Sequence, residues 1–348
     1  MPRALVAWYL PVADTGGVLR HALDVAQAGM TRHRLVFIVP PGPAGDILRS
    51  SGVPVVVTDV GTEAGPLRAG RSLRRVVRTL RPAIVHSHLA FADVVLAATP
   101  LRRGVHRVTT EHGIAGAAGL YHPSRLRRAT TPRVHAARLR RFSAAIAVSQ
   151  STADEMKRQW KAPTPLHVIH NGVDTHARHH RPGHRILSLS RLAPEKRIDR
   201  LLEAFAALHA EDPSWSLTVA GDGDMRNDLL RQAIDLGVET AVRFPGFVDA
   251  SDALDTHDVL VQLSEWENCS YSLLDATARG LGTVATDVGG NREILPRHSL
   301  SDGSPADLIT RIREQAEDVH VRPNLPDNWP SVTDMVERIE ELYEGLRS

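Results

Sequence analysis

Two carboxylates, Glu267 and Asp275, stand eight positions apart in the stretch Ser264-Glu265-Trp266-Glu267-Asn268-Cys269-Ser270-Tyr271-Ser272-Leu273-Leu274-Asp275-Ala276. The first falls in a polar, loop-like segment, the second in an apolar run of helical character. If Ser270 or Ser272 caps that helix, the free N–H groups of its first turn make an anion site beside Glu267. Asp275, in the opening turns, can reach the same space. Carboxylates that accept hydroxyl hydrogens, set next to an anion cradle, suit a sugar attached to a phosphate.

A second constellation, Ser190-Arg191-Leu192-Ala193-Pro194-Glu195-Lys196-Arg197, follows an apolar strand pattern and opens a helical one. Ligands bind beyond the C-terminal ends of strands in open parallel sheets, so Arg191 and Lys196 belong where a ligand would sit. Two fixed cations there can neutralise a diphosphate leaving group without a metal. A solvated helix start is the plainer reading of this segment taken alone.

Several weaker signals share the strand-exit position. Gly16-Gly17 and Gly221-Asp222-Gly223 each follow a strand pattern, although neither completes a three-glycine dinucleotide fingerprint. Glu111-His112-Gly113 offers His112 to a sugar hydroxyl. Phe244-Pro245-Gly246-Phe247-Val248-Asp249 offers backbone groups to a nucleobase edge, with core packing of both phenylalanines as the simpler account. Asp287-Val288-Gly289-Gly290-Asn291 reads as a turn whose amides can meet hydroxyls or phosphate. His86 and His88 share one strand face, a possible metal pair, but no third or fourth ligand stands at helpful spacing, so no metal is expected. Cys269 has no visible base beside it and is not expected to be a nucleophile.

The elements that must position these residues alternate. Apolar runs at 4–10, 35–39, 53–58, 83–87, 106–110 and 144–148 predict buried strands, with helices near 17–29, 68–80, 90–98 and 151–160. The last opens on Ser151-Thr152-Ala153-Asp154-Glu155, rich in capping and first-turn acidic residues. Residues 171–183 are polar, rich in His and Arg, and read as a linker. A second series follows, with strands at 185–190, 215–220, 241–244, 258–263 and 282–286. Its helices fall at 197–210, 225–236, 250–256, 271–280 and 303–317, and an amphipathic segment closes the chain from Val332 to Leu346. Alternation of this kind specifies α/β units with parallel sheets covered on both faces.

The 348 residues suffice for two cores, and no apolar run approaches the ~20 residues of a membrane span. A single cysteine excludes an internal disulfide and fits a reducing cytoplasm. Net charge is only +2, but residues 1–170 hold 24 Lys/Arg against 9 Asp/Glu and residues 171–348 hold 18 against 31. The basic half, with Arg68, Arg71, Arg74, Arg75 and Arg78 on helical spacing and a second cluster at Arg125, Arg127, Arg128, Arg133, Arg138, Arg140 and Arg141, predicts contact with an anionic surface, the inner face of a membrane among them. Attraction between the two halves is the alternative. Aromatics for base stacking are scarce there, so nucleic acid is not expected.

Together these segments resemble the retaining glycosyltransferases of family four, which have the GT-B fold: two Rossmann-like domains facing across a cleft. The likeness runs almost end to end: Gly16-Gly17, Val85-His86-Ser87-His88, Glu111-His112-Gly113, Val148-Ser149, Asn171-Gly172-Val173-Asp174, Ser190-Arg191 to Lys196, Gly221-Asp222-Gly223, Gly246-Phe247, Glu267 to Asp275 and Gly289-Gly290-Asn291. The resemblance implies an acceptor domain over 1–175, a nucleotide-sugar domain over 183–325 and a helix over 331–348 that crosses back onto the first.

It implies roles as well. Arg191 and Lys196 would hold the donor diphosphate, Glu267 the sugar hydroxyls and Asp275 the ribose. Gly16, Gly17 and Gly221, the amides of Asn268, Cys269, Ser270, Tyr271 and Ser272, and Gly290 and Asn291 would approach the donor; His112 would meet the sugar and the Val248 backbone the base. The departing phosphate would take the acceptor proton, retaining configuration without a carboxylate nucleophile, a metal or another cofactor. The family usually has glutamate where Asp275 stands and glycine where Asn268 stands; the loop at Asn268 is expected to keep a positive φ, which asparagine tolerates. The expectation is a hexosyl transferase using a nucleotide sugar and an unidentified acceptor. An epimerase or phosphorylase on the same architecture, or a nucleotide-sugar-binding protein without turnover, are the rivals.

Overall fold

The computed structural model describes residues 3–13, 16–114, 133–162, 164–176 and 181–347. The chain divides into two compact units, Met1–Gly172 with Pro330–Ser348, and Val173–Trp329.

Among the described residues the first unit carries seven parallel strands: β1 Ala4–Tyr9, β2 His33–Val39, β3 Val55–Val57, β4 Ile84–His88, β5 His106–Glu111, β6 Ala144–Ala147 and β7 Leu166–Val168. They lie in the order β3-β2-β1-β4-β5-β6-β7. Helices α1 Gly17–Ala28, α2 Pro43–Ser50, α3 Gly65–Leu80, α4 Ala90–Ala98, α5 over residues 133–139 and α6 Gln150–Trp160 connect them. The strands are apolar on both sides because helices cover both sheet faces, as the near-continuous runs of Val, Ile and Ala require. Order reverses between β1 and β4, which places a switch point at their C-terminal ends.

The second unit repeats the plan with β8 Arg185–Leu189, β9 Ser216–Ala220, β10 Val242–Gly246, β11 Val259–Gln262, β12 Gly282–Thr286 and β13 Leu300–Ser301. The order is β10-β9-β8-β11-β12-β13, all parallel, with its switch point between β8 and β11. Its helices are α7 Ile198–Glu211, α8 Arg226–Asp235, α9 Ala250–Asp255, α10 Tyr271–Ala278, α11 Asn291–Ile294 and α12 Pro305–Glu317. One face buries Phe205, Leu208 and Ile312, the other Leu273, Leu274 and Ile294.

The last helix, α13 Val332–Gly345, belongs to the first unit. A capping box of Ser331 and Asp334 starts it. Val332, Met335, Val336, Ile339 and Tyr343 join the core beneath α1, each stabilising by about 1.5–3 kcal/mol relative to exposure. Tyr343 Oη accepts from Trp8 Nε1 at 2.9 Å and bonds His86 Nδ1. Glu340 accepts the backbone N–H groups of Thr31, Arg32 and His33 at 2.9–3.0 Å.

Several expectations need correction. The helix expected from 151 begins one residue earlier, at Gln150, and is capped by Ser149, whose Oγ accepts from Thr152 N at 3.0 Å. Helices α2 and α11 and strands β7 and β13 were not anticipated; all are short. Residues 171–173, where the chain passes from the first unit to the second, are packed rather than exposed: Asn171 and Val173 are buried, and the Gly172 amide donates to Met335 Sδ at 3.2 Å. Arg138 is no surface cation but is buried against Glu111 and Asp93, whereas Arg125, Arg127 and Arg128 lie outside the described residues. Among the described residues no helix is long and apolar enough to cross a membrane.

Candidate functional site

Two loops meet at the switch point of the second unit. One leaves β8 with Ser190-Arg191 and closes in a 3₁₀ turn at Pro194–Lys196; the other leaves β11 with Leu263-Ser264 and runs to Glu267. Lys196 forms an ion pair with Glu267, and both are mostly shielded, at 20% and 14% exposure. Ser264 Oγ joins them, receiving a 3.3 Å hydrogen bond from Lys196 Nζ and donating a 2.8 Å one to Glu267 Oε1. An ammonium has three donors, so one remains for an anion. The contacts on Glu267 fall on Oε1, which leaves Oε2 for a hydroxyl. Sequence reasoning gave Ser264 no part in this; its position at the exit of a switch-point strand was the available signal.

Arg191 pairs with Glu195 four residues on rather than standing alone. The arginine is 64% exposed and Glu195 is buried, so the carboxylate holds the guanidinium at the rim. The backbone of the Glu267 loop is fixed from below. Gly289 holds φ +51°, and a Cβ there would run into the Glu267 carbonyl oxygen, so no other residue fits without moving the loop. Gly290 N reaches the same carbonyl at 3.4 Å, and the Asn291 amide donates to Thr286 O at 3.0 Å.

Ser270 is the N-cap of α10, its Oγ accepting from Leu273 N at 3.4 Å and donating to Gln262 Oε1 at 2.7 Å. Ser272 donates to the Leu189 carbonyl at 3.1 Å, tying the first turn of α10 to the end of β8. The cap is therefore Ser270, and Tyr271 and Ser272 supply first-turn amides beside Cys269, which is half-buried. Asn268 is buried and has no positive φ, contrary to expectation. Asp275 is buried, with its carboxylate 4.0 Å from Arg279 Nη1. Gly221 donates to Gly246 O at 2.7 Å, and a Cβ on it would strike Ser190 O, so the 221 loop packs against the start of the Arg191 segment. Val248 is 37% exposed, and Phe247, expected in the core, is 76% exposed.

The switch point of the first unit gathers histidines. His21 on α1, His88 at the end of β4 and His112 beyond β5 have ring nitrogens within 4.8 Å of one another, a set that could hold a metal ion. The third ligand that sequence spacing lacked thus arrives through the fold. His88 Nδ1 and His112 Nε2 already share a 2.8 Å hydrogen bond. Burial holds His21 down at about 4, against a smaller opposing effect of its bond to Asn171. Burial, then neighbouring rings, lowers His88 and His112 well below the usual histidine range. All are neutral near pH 7, and each ring then offers one donor and one acceptor nitrogen. Leu89, directly after His88, holds φ +74°, a strained conformation of the kind that clusters at functional sites. Gly16 and Gly17 line a separate hollow of about 600 Å³ with Pro11, Gly61 and Arg68.

Next to His112, Glu111 is buried against Arg138 at 2.9 Å, and the same guanidinium lies 3.3 Å from Asp93. Burial outweighs Arg138 and pushes the Glu111 carboxyl up to about 7.

The family model for glycosyl transferases group 1 matches residues 178–323, and that for glycosyltransferase family 4 matches 15–177. Glycogen synthase of Mycobacterium tuberculosis is 31% identical over 84% of this chain and 79% of its own length. The chain belongs to the group 1 glycosyltransferases.

A phosphatidylinositol N-acetylglucosaminyltransferase component from Arabidopsis thaliana is 26% identical over 78% of this glycosyltransferase and 64% of its own length. Anabaena HepE, solved with UDP and glucose, shares the fold at TM-score 0.81 and 20% identity, covering 99% of this chain and 100% of that one. Sucrose-phosphate synthase of Thermosynechococcus elongatus does so at 0.73 and 16%, covering 99% of each. The GT-B fold expected from the sequence is thereby shown. Within the second unit of this glycosyltransferase, Lys196, Glu267, Gly290 and Asn291 come together. His112, Gly16 and Gly17 stand at strand exits of the first unit.

Proposed function

We propose that this glycosyltransferase moves a hexose-type sugar from a nucleoside-diphosphate sugar to its acceptor, with retention of configuration and without a metal. The observation that carries the reading is the Lys196–Ser264–Glu267 cluster at the switch point of the second unit. Lys196, with Arg191 at the rim, neutralises the charge that develops on the leaving diphosphate. Glu267 accepts sugar hydroxyls through its open oxygen, and first-turn amides of α10 approach phosphate. Asp275 binds the ribose, the Val248 backbone the base, and His112 a hydroxyl of the transferred sugar. The departing phosphate oxygen takes the acceptor proton as the new glycosidic bond forms on the same face, so no protein nucleophile is needed. The basic first unit meets an acceptor or surface that carries negative charge.

The test is a panel of UDP-, GDP-, ADP- and TDP-sugars offered with a cell extract, read by mass detection and by NMR at the anomeric carbon. UDP-sugars head the panel because HepE was solved with UDP-glucose as well as UDP. Transfer with retention is expected, and EDTA leaves the rate unchanged. An inverted product, or a rate abolished by EDTA and restored by zinc, would overturn the respective part. Unchanged donor binding in the Arg191→Ala/Lys196→Ala double variant would sink the donor assignment.

A further inference from the structure

The loops at the starting end of the first unit's sheet hold an arrangement that the transferase chemistry does not use. Residues 81–83 lead into β4 and residues 99–105 into β5, and these two strands are parallel neighbours. Between them and the last turns of α3 lies a hollow of about 570 Å³ lined by Arg74, Arg78, Arg81, Arg102 and Arg103. A second hollow of about 430 Å³ continues along α3 past Arg71, Arg75 and Thr79. No Asp or Glu lines either one.

Four other arginines of this unit have carboxylate partners, Arg20 with Asp24, Arg49 with Asp46, Arg68 with Asp59 and Arg158 with Glu155, and Arg3, Arg34 and Arg107 donate to backbone carbonyls. None of Arg71, Arg74, Arg75, Arg78, Arg81, Arg102 and Arg103 lies within 4.0 Å of a carboxylate among the described residues. The negative end of the α3 dipole favours cations in the last turn and accounts for Arg78 and Arg81, but its effect fades within that turn and does not reach Arg71 or Arg74. Arg81 also holds φ +51° at the helix C-cap, where glycine is the usual choice. Several guanidinium groups within one Debye length repel each other and are relieved together by a multivalent anion. Planar forks in pairs around a hollow match phosphate oxygens, which arginine binds in bidentate fashion.

We propose that this arginine-lined pocket binds a ligand carrying two or more phosphate groups. The strand exits with Gly16, Gly17 and His112 lie at the other end of the same parallel sheet, so the pocket is separate from the site assigned to sugar transfer. The proposal does not rest on the donor chemistry. Clustered phosphates occur on soluble polyphosphates and on phosphorylated lipid headgroups, and the experiment separates the two sources.

The full chain is titrated with inorganic triphosphate by calorimetry at about 150 mM salt, where loosely held surface ions are screened. In parallel it is floated with vesicles of phosphatidylcholine containing a phosphoinositide bisphosphate. Saturable binding in at least one arm is expected, weakened about tenfold or more in Arg78→Gln/Arg103→Gln. Lys196→Ala leaves it intact, which separates the pocket from the diphosphate site. Arg74→Lys/Arg102→Lys keeps the charge and loses the forks; it guards against a folding defect in the glutamine variant and is expected to bind severalfold more weakly. Triphosphate binding assigns a soluble ligand, and vesicle binding alone assigns a lipid headgroup. Binding absent in both arms, or equal in wild type and all arginine variants of unchanged melting temperature, overturns the proposal.

Discussion

Lys196 and Glu267 hold each other in place, so removing either does two things at once. Lys196→Ala deletes a cation aimed at the leaving group and leaves Glu267 with Ser264 alone, and kcat is expected to fall about a hundred- to a thousandfold. Glu267→Gln keeps the shape and an acceptor oxygen, so its main loss falls on donor KM. Steady-state kinetics with the best donor of the panel separates these; a Lys196→Ala variant altered only in KM would contradict the leaving-group role. His88 is a positioning residue. It is fully buried and fixes one nitrogen of His112, leaving Nδ1 of that ring to a ligand. His88→Ala should lower kcat by about tenfold or more through misplacement of His112. His88→Asn, whose amide stands near the lost Nδ1, should recover part of it. Equal rates in both variants would argue for a merely structural ring. Lys196 and Glu267 stood out in the sequence as charges at predicted strand exits, and the fold pairs them. The Ser264 bridge, the Glu195 partner of Arg191 and the triad of His21, His88 and His112 were not legible there, since each depends on which strands become neighbours.

Strand and helix patterns were legible where an element buries a full face, as in β1, β4, α1 and α7. Short pieces were not: α2, α11, β7 and β13 have eight residues or fewer, and too few periods to show a repeat. Polar composition also misled at Asn171-Gly172, whose backbone is packed beneath Met335 by a helix that arrives from the far end of the chain. That helix carries its own test. Tyr343→Phe leaves the buried Trp8 indole N–H without its acceptor and removes the partner of His86, at a cost of about 1–3 kcal/mol. Glu340→Ala strips the acceptor from three backbone N–H groups that open β2, with a loss at least as large. Urea midpoints read both; a shift below about 0.5 kcal/mol in each would mean that α13 is held by its apolar face alone. Ser270→Ala, losing one cap of α10, should cost about 1 kcal/mol.

Across the molecule, buried titratable groups are concentrated in the first unit, and they predict how its stability follows pH. His21, His86 and His88 are buried and His112 is half-buried; all four are neutral there, with folded pKa values below the unfolded value of 6.5. Below pH 6.5 the unfolded chain binds protons that the folded one refuses, so stability falls on acidification by about 1.4 kcal/mol per pH unit per histidine. For His21 the loss ends near pH 4, where its folded form titrates. Glu111 runs the other way. Its folded carboxyl titrates at about 7 against an ordinary 4.5, so the folded state keeps a proton that the unfolded state has released between those values. Its term favours folding at the acid end of that window and is lost as pH rises through it, because two carboxylates then share the single guanidinium of Arg138. Burial raises the Asp93 carboxyl in the same direction, but four histidines outweigh these two carboxyls, so unfolding of the first unit is expected to shift to lower urea as pH drops from 6.5 to 5. Glu111→Gln removes one opposing contribution and makes that acid slope steeper, whereas His21→Asn makes it shallower. Urea titrations at half-unit pH steps measure all three, and an acid slope unaffected by either substitution would show that these buried groups do not set the pH response.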